Sequence, residues 1–163
     1  MLKLYQISDT GLHYWETWEA IEGEHTVHWG EIGTPGETKT IKSSWLKKAE
    51  KVIQKEIDEL VKNGFAPILP EDHVILLIEF KIDGMGSSKD LSKRHALEER
   101  MNETLGWTGL GACDGGSIGS GSMEVCRFVV DFAIAKKVIE DSLSGSQFAD
   151  YSRIFREDDG EAA

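Results

Sequence analysis

The chain is poor in cysteine, in proline and in positive charge, and it has no long apolar run. Two cysteines in 163 residues are too few for a disulfide framework, and they form no Cys-x-x-Cys. With no secretory signal, this usage predicts a reducing, cytoplasmic setting. The start Met1–Gln6 lacks a signal peptide's apolar core, and no stretch approaches the roughly 20 apolar residues of a membrane span. A membrane partner is therefore not expected. Lys and Arg number 18 against 29 Asp and Glu, a net charge of -11, which argues against general affinity for polyphosphate surfaces. Catalytic signatures are missing as well. There is no Gly-Lys-Ser/Thr ending of a phosphate loop and no Gly-x-Gly-x-x-Gly between a strand and a helix. No Ser/His/Asp or Cys/His triad can be assembled. We therefore assign no catalytic residue, metal site or cofactor from the sequence.

Hydrophobic residues at 40% and charged residues at 29% suffice for a soluble chain with a core. Segments 2–9, 12–20 and 25–32 read as strands, with Glu22-Gly23-Glu24 as a turn. A basic amphipathic helix follows from about Trp45 to Lys62. Ser43 or Ser44 can cap it, and Leu46, Ala49, Val52, Ile53, Ile57, Leu60 and Val61 form one stripe. Asn63-Gly64 ends this helix. Pro67 and Pro70 make a stiff connection, because neither fits a helix interior and each restricts its predecessor. Beyond it, strand 73–82, helix 90–105, a Gly-rich strand 108–118, strand 122–132, helix 133–143 and strand 148–155 follow in order. The expected architecture is α+β: a domain over 1–66, a linker over 67–72, a second domain over 73–155 and an acidic tail over 156–163. The order βαββαβ in the second domain is the ferredoxin-like arrangement, an antiparallel sheet with two helices on one face.

The segment Trp29-Gly30-Glu31-Ile32-Gly33-Thr34-Pro35-Gly36-Glu37-Thr38-Lys39, followed by the basic helix, resembles a WGR module. That small β-rich fold occurs in poly(ADP-ribose) polymerases and bacterial proteins. The resemblance covers about residues 1–65 and rests on Trp29 and Gly30; Glu31 stands where the family has arginine. It implies an antiparallel sheet with one helix and a binding surface that, in the polymerases, helps grip a DNA end. Stacking of Trp29 on a terminal base would contribute roughly 1–3 kcal/mol. Lys39, Lys47, Lys48 and Lys51, with Lys42 and Lys55, form the one local basic segment. An acid at Glu31 would repel phosphate. The alternative is that Trp29 packs on the helix and that Gly30 and Gly33 serve tight backbone geometry.

In the second half, Gly106–Gly121 is Gly-rich and leads into a strand. Its backbone N–H groups could form an anion nest; the alternative is that glycines let the strand bend and pass close beneath Leu97 and Met101. A type II′ hairpin with Gly119-Ser120 at its tip would set Cys113 across from Cys126 and Asp114 beside Val125. Cys126, Phe128, Val130 and Phe132 would share the helix-facing side, leaving Arg127 and Asp131 on the open face with Glu79. Candidate binding residues here are Asp83, Asp114, Gly115, Gly116, Arg127 and Asp131. The chain also resembles small bacterial proteins that join a WGR-like half to a second half with Asp83-Gly84-Met85-Gly86, Leu105–Gly109, Cys113–Gly116 and Tyr151–Ile154. That resemblance implies no activity. The expected function is non-catalytic binding of a macromolecule, protein ahead of DNA, with the open sheet face as a candidate homodimer surface. The alternatives are DNA-end binding and small-molecule chemistry at the Gly-rich segment.

Overall fold

The computed structural model describes residues 1–9, 11–45 and 48–160, with the side chains of Cys113 and Asp159 excepted. Leu46 and Lys47 of the predicted helix, the Cys113 thiol and the end of the acidic tail lie outside the described residues. The fold is α+β. The chain divides into two compact units, Met1–Leu69 and Pro70–Ala163. Among the described residues, no helix is long and apolar enough to cross a membrane.

The first unit is an antiparallel meander of four strands, β1 (Leu2–Ser8), β2 (Gly11–Ile21), β3 (Glu24–Glu31) and β4 (Glu37–Lys42), in that spatial order. Strand β4 was not expected from the sequence. Its residues Glu37-Thr38-Lys39-Thr40-Ile41-Lys42 carry one apolar side chain, and it is held by pairing with β3 from Trp29↔Glu37 to Glu24↔Lys42. Period-2 alternation puts Leu4, Trp15 and Val27 on one face, where helix α1 (Ala49–Lys62) brings Ile53 against them. Trp29, Ile41, Ile57, Leu60 and Phe65 pack around this core. The helix begins at Ala49, four residues after the expected start at Trp45. Ser43 caps it from a distance, its Oγ accepting from the Ala49 N–H at 2.9 Å.

The opposite face of this sheet holds a buried polar chain. His28, fully buried, sets Nδ1 2.7 Å from Glu16 Oε1 and Nε2 2.8 Å from both the Tyr14 hydroxyl and the Pro35 carbonyl. Lys3 Nζ completes it at 3.2 Å from Glu16 Oε2. The turn after β3 folds back to supply the Pro35 carbonyl, and the geometry demands glycine twice. A Cβ on Gly30 would stand 2.7 Å from Gly36 Cα, and one on Gly36 would meet the Trp29 carbonyl and the Tyr14 hydroxyl at 2.3 Å. Burial, then the Glu16 carboxylate, pushes the Tyr14 phenol up to about 12. The same two causes raise Tyr5.

The second unit runs β5 (Val74–Lys81), α2 (Ser88–Gly106), β6 (Gly111–Gly119), β7 (Ser122–Val129), α3 (Phe132–Leu143), β8 (Arg153–Arg156) and a one-turn α4 (Glu157–Gly160). Its sheet order is β6-β7-β5-β8, with every pair antiparallel. A capping box starts α2: the Ser87 hydroxyl accepts from the Asp90 N–H, and the Asp90 carboxylate accepts from the Ser87 N–H. The Ser87 hydroxyl also donates to Asp90 Oδ2 at 2.7 Å, and this bond, followed by the one from the Ser87 N–H, holds the Asp90 carboxyl below its ordinary range. Leu97, Met101 and Leu105 of α2 and Ala135, Ile139 and Leu143 of α3 are buried. They cover a sheet face made of Leu76, Ile78, Phe80, Met123, Val125, Val129 and Ile154.

Three expectations fail here. The β6–β7 hairpin turns at Ser120-Gly121, both at positive φ, with Gly119 paired to Ser122; this is the primed-turn geometry that matches strand twist. The register then differs from that of a Gly119-Ser120 turn. Cys113 pairs with Arg127, and a bulge places Asp114 and Gly115 opposite Cys126 instead of Asp114 beside Val125. Strand β7 turns Met123, Val125, Arg127 and Val129 inward, leaving Cys126 and Phe128 half-buried on the other face with Ile75 and Leu77. The glycines of β6 also have a different cause from the one expected. A Cβ on Gly111 would meet the Phe128 carbonyl, and one on Gly116 the Glu124 carbonyl, so the close approach is to β7 and not to α2.

Candidate binding cleft

Alternation on β2 and β3 fixes what lies at one end of the first sheet. His13 and Trp15 point to the helix side of β2, and their cross-strand partners Glu31 and Trp29 do so on β3. Gln6, paired with His13, extends the row to β1. Helix α1 contributes Glu56 and Leu60 from its last turns, and Phe65 follows, its N–H bonded to the Leu60 carbonyl at 3.0 Å. Together these residues line an open cleft of about 470 Å³, within the roughly 300–1,000 Å³ usual for ligand sites. Its lining has indole and phenyl rings and two carboxylates, and no Lys or Arg among the described residues.

Glu56 organises the inner wall. Its Oε1 accepts from Trp15 Nε1–H at 3.1 Å and from Lys39 Nζ at 2.7 Å, and Oε2 lies 2.9 Å from the same ammonium. Lys39 Nζ also stands 5.2 Å from the centre of the Trp29 ring, a cation–π contact. The lysine is thus committed to its own fold and not to a phosphate. Glu31 is exposed at the rim. Gly30 also lines the cleft, and its backbone position is set by the Gly36 approach. Trp29, Gly30 and Glu31 are therefore brought together, with Lys39 beside them. Lys48, at the N-cap of α1, and Lys51 are exposed and outside the lining, while Lys47 lies outside the described residues. Trp15, His13, Glu56 and Phe65 were missed. The pairing Trp15↔Trp29 needed only a hairpin register through Glu22-Gly23, which the sequence supplied in part.

The candidates of the second unit do not converge. Asp83 lies in the loop after β5, its carbonyl accepting from the Gly86 N–H at 2.9 Å. Asp114 is exposed in the β6 bulge beside Gly115, and Gly116 gives its carbonyl to Arg94 Nη1 at 2.8 Å. Asp131 was expected on the open face but is the N-cap of α3, accepting from the Ile134 N–H at 2.8 Å. Arg127, also expected on the open face, is fully buried on the helix side. Its Nη1 donates to the Cys126 carbonyl at 2.7 Å and its Nη2 to the Leu97 carbonyl at 3.4 Å. That places a guanidinium in structural service between β7 and α2. Among the described residues, no group of three or more His, Cys, Asp or Glu could hold a metal ion.

No family model, curated protein or solved structure matches this chain.

Proposed function

We propose that this chain is a non-catalytic, cytoplasmic binding protein that recognises a protein partner through the cleft of its WGR-like half, with the ferredoxin-like unit as a second module. The observation that carries this reading is the lining of the cleft: aromatic rings and two carboxylates, with the neighbouring cation Lys39 already paired to Glu56. An acidic aromatic cleft on a chain of net charge -11 suits a polypeptide and disfavours a phosphate backbone. Aromatic anchors in a pocket are also the usual source of binding energy in protein recognition.

A second reading, nucleic-acid binding, draws on Trp45. It is 91% exposed, and the exposed Lys42, Lys48 and Lys51 flank it in sequence. One experiment separates the two. The full chain is panned against a random peptide library and titrated with a short 5′-phosphorylated duplex at low and near-physiological salt. Enriched peptides whose binding is lost in Glu31→Lys support the protein-partner reading. Salt-steep duplex binding lost in Trp45→Ala, with no enriched peptide, replaces it.

A further inference from the structure

We infer that the cleft selects an arginine side chain, so that the partner presents a basic segment. The inference rests on the binding reading above and specifies its ligand. Two features of the cleft point the same way. Of its two carboxylates, Glu56 on the inner wall is already paired to Lys39, whereas Glu31 at the rim meets no Lys or Arg of the lining. Beside it, Lys39 sits over the Trp29 ring at 5.2 Å while paired to Glu56 at 2.7 Å. That contact is an internal example of the recognition the surface supports: a cation on an indole, neutralised by an acid.

Arginine fits this arrangement better than lysine. A guanidinium is planar and weakly hydrated, so it can lie on a ring while its fork of N–H donors meets a carboxylate. Trp29 and Glu31, two residues apart on the same face of β3, offer that ring and that acceptor. The stem methylenes of the arginine would then lie against Leu60 and Phe65, the apolar part of the lining. The acidic excess of the chain raises the rate of encounter with a basic segment. Lys39 competes for Glu56, so removing its charge should help the guest.

The probe is a capped glycine pentapeptide with arginine at its centre, compared with the same peptide carrying citrulline, which keeps the shape and loses the charge. Binding is read on the full chain from the indole N–H signals of Trp15 and Trp29 in ¹H–¹⁵N spectra. The arginine peptide is expected to shift both signals and to bind about tenfold more tightly than the citrulline peptide. Glu31→Gln, at an exposed position, should erase most of that difference. Lys39→Met should tighten binding by about threefold, the size of an exposed competing ion pair.

Equal binding of the two peptides overturns the inference and leaves the protein-partner reading intact. So does a library whose enriched sequences lack arginine yet still need Glu31. An arginine peptide that moves neither indole signal overturns the inference as well. Only the absence of any enriched peptide strikes the binding reading itself.

Discussion

Each unit has a four-stranded antiparallel sheet with helices on one face, yet the two bury that face to different extents. Strands about 4.8 Å apart make a four-stranded sheet some 14 Å wide between its outer axes. One helix with its side chains is about 10–12 Å across. The second unit lays two helices, of 19 and 12 residues, on its sheet, and α2 packs against β6, β7 and α3. The first unit has a single 14-residue helix, which leaves one end of the sheet uncovered. Trp15 and Trp29 reach that end, and the cleft opens there. Polar burial differs in the same way. In the second unit the covered face is apolar apart from Arg127, whereas the first unit buries Glu16, His28 and Tyr14 on the face away from its helix. The lesson is that a sheet can keep an open end beside its helix only if something else holds it together. Here the folded-back turn after β3 does so, bonded through Pro35 to His28.

This contrast can be broken at its strongest point first. Phe80 is 1% exposed on the inward face of the second sheet, opposite Met123, so Phe80→Ala should cost roughly 3–5 kcal/mol by thermal or denaturant unfolding. A loss below about 1 kcal/mol would mean that the second core is looser than its burial implies.

Gly36 tests the turn of the first unit against a loop of the second. Gly36→Ala must adopt φ +61 and place its Cβ 2.3 Å from the Trp29 carbonyl. Gly84→Ala has a similar φ of +54 but open space around it. The second substitution should cost about 1–2 kcal/mol, the strain of a left-handed residue alone. The first should exceed it clearly and should disturb the Trp29 indole signal. Equal costs would show that the turn tolerates a methyl group.

Ser87→Ala removes half of the capping box on α2 and should cost about 1 kcal/mol. Because bonding lowers the folded-state pKa of Asp90, its contribution is present above the ordinary carboxylate range. It is lost as pH falls through the lowered value. The acid limb of stability should therefore flatten in the Ser87→Ala variant.

The last contrast is one of pH dependence and belongs to Tyr14. Its folded pKa is raised from 10.0 to about 12, so the stability it contributes is complete below the unfolded value and is lost as pH rises toward the folded one. Tyr14→Phe should unfold with a shallower pH dependence across that alkaline window. An unchanged slope would assign the window to other groups, with Tyr5, also raised, the first to examine.

Much of the fold was readable along the chain. Ser122–Val129 and Val74–Lys81 are short apolar, β-branched-rich runs that read as strands, and Leu97, Met101 and Leu105 recur at helical spacing. What could not be read was which face of β7 is covered. Both faces carry apolar residues, Met123, Val125 and Val129 on one and Cys126 and Phe128 on the other, so alternation has no preferred sign. Arg127 then pointed the wrong way, because a charged residue usually marks the wet face. Its burial depends on carbonyls from Cys126 and Leu97 that no local pattern announces. At the candidate site, Trp29, Gly30, Glu31 and Lys39 stood out in one motif. Trp15 and Glu56 did not, since they join it across 14 and 27 residues of chain.

The sequence by itself determined the order of the elements apart from β4, the helix stripes, the turn at Gly23 and the helix end at Gly64, because these rest on residue spacing and backbone freedom within a few positions. Only the tertiary structure decided the hairpin register, the inward face of β7 and the cleft beside α1. Those depend on pairing and coverage between distant segments, and there the energy comes from surfaces that meet only after folding.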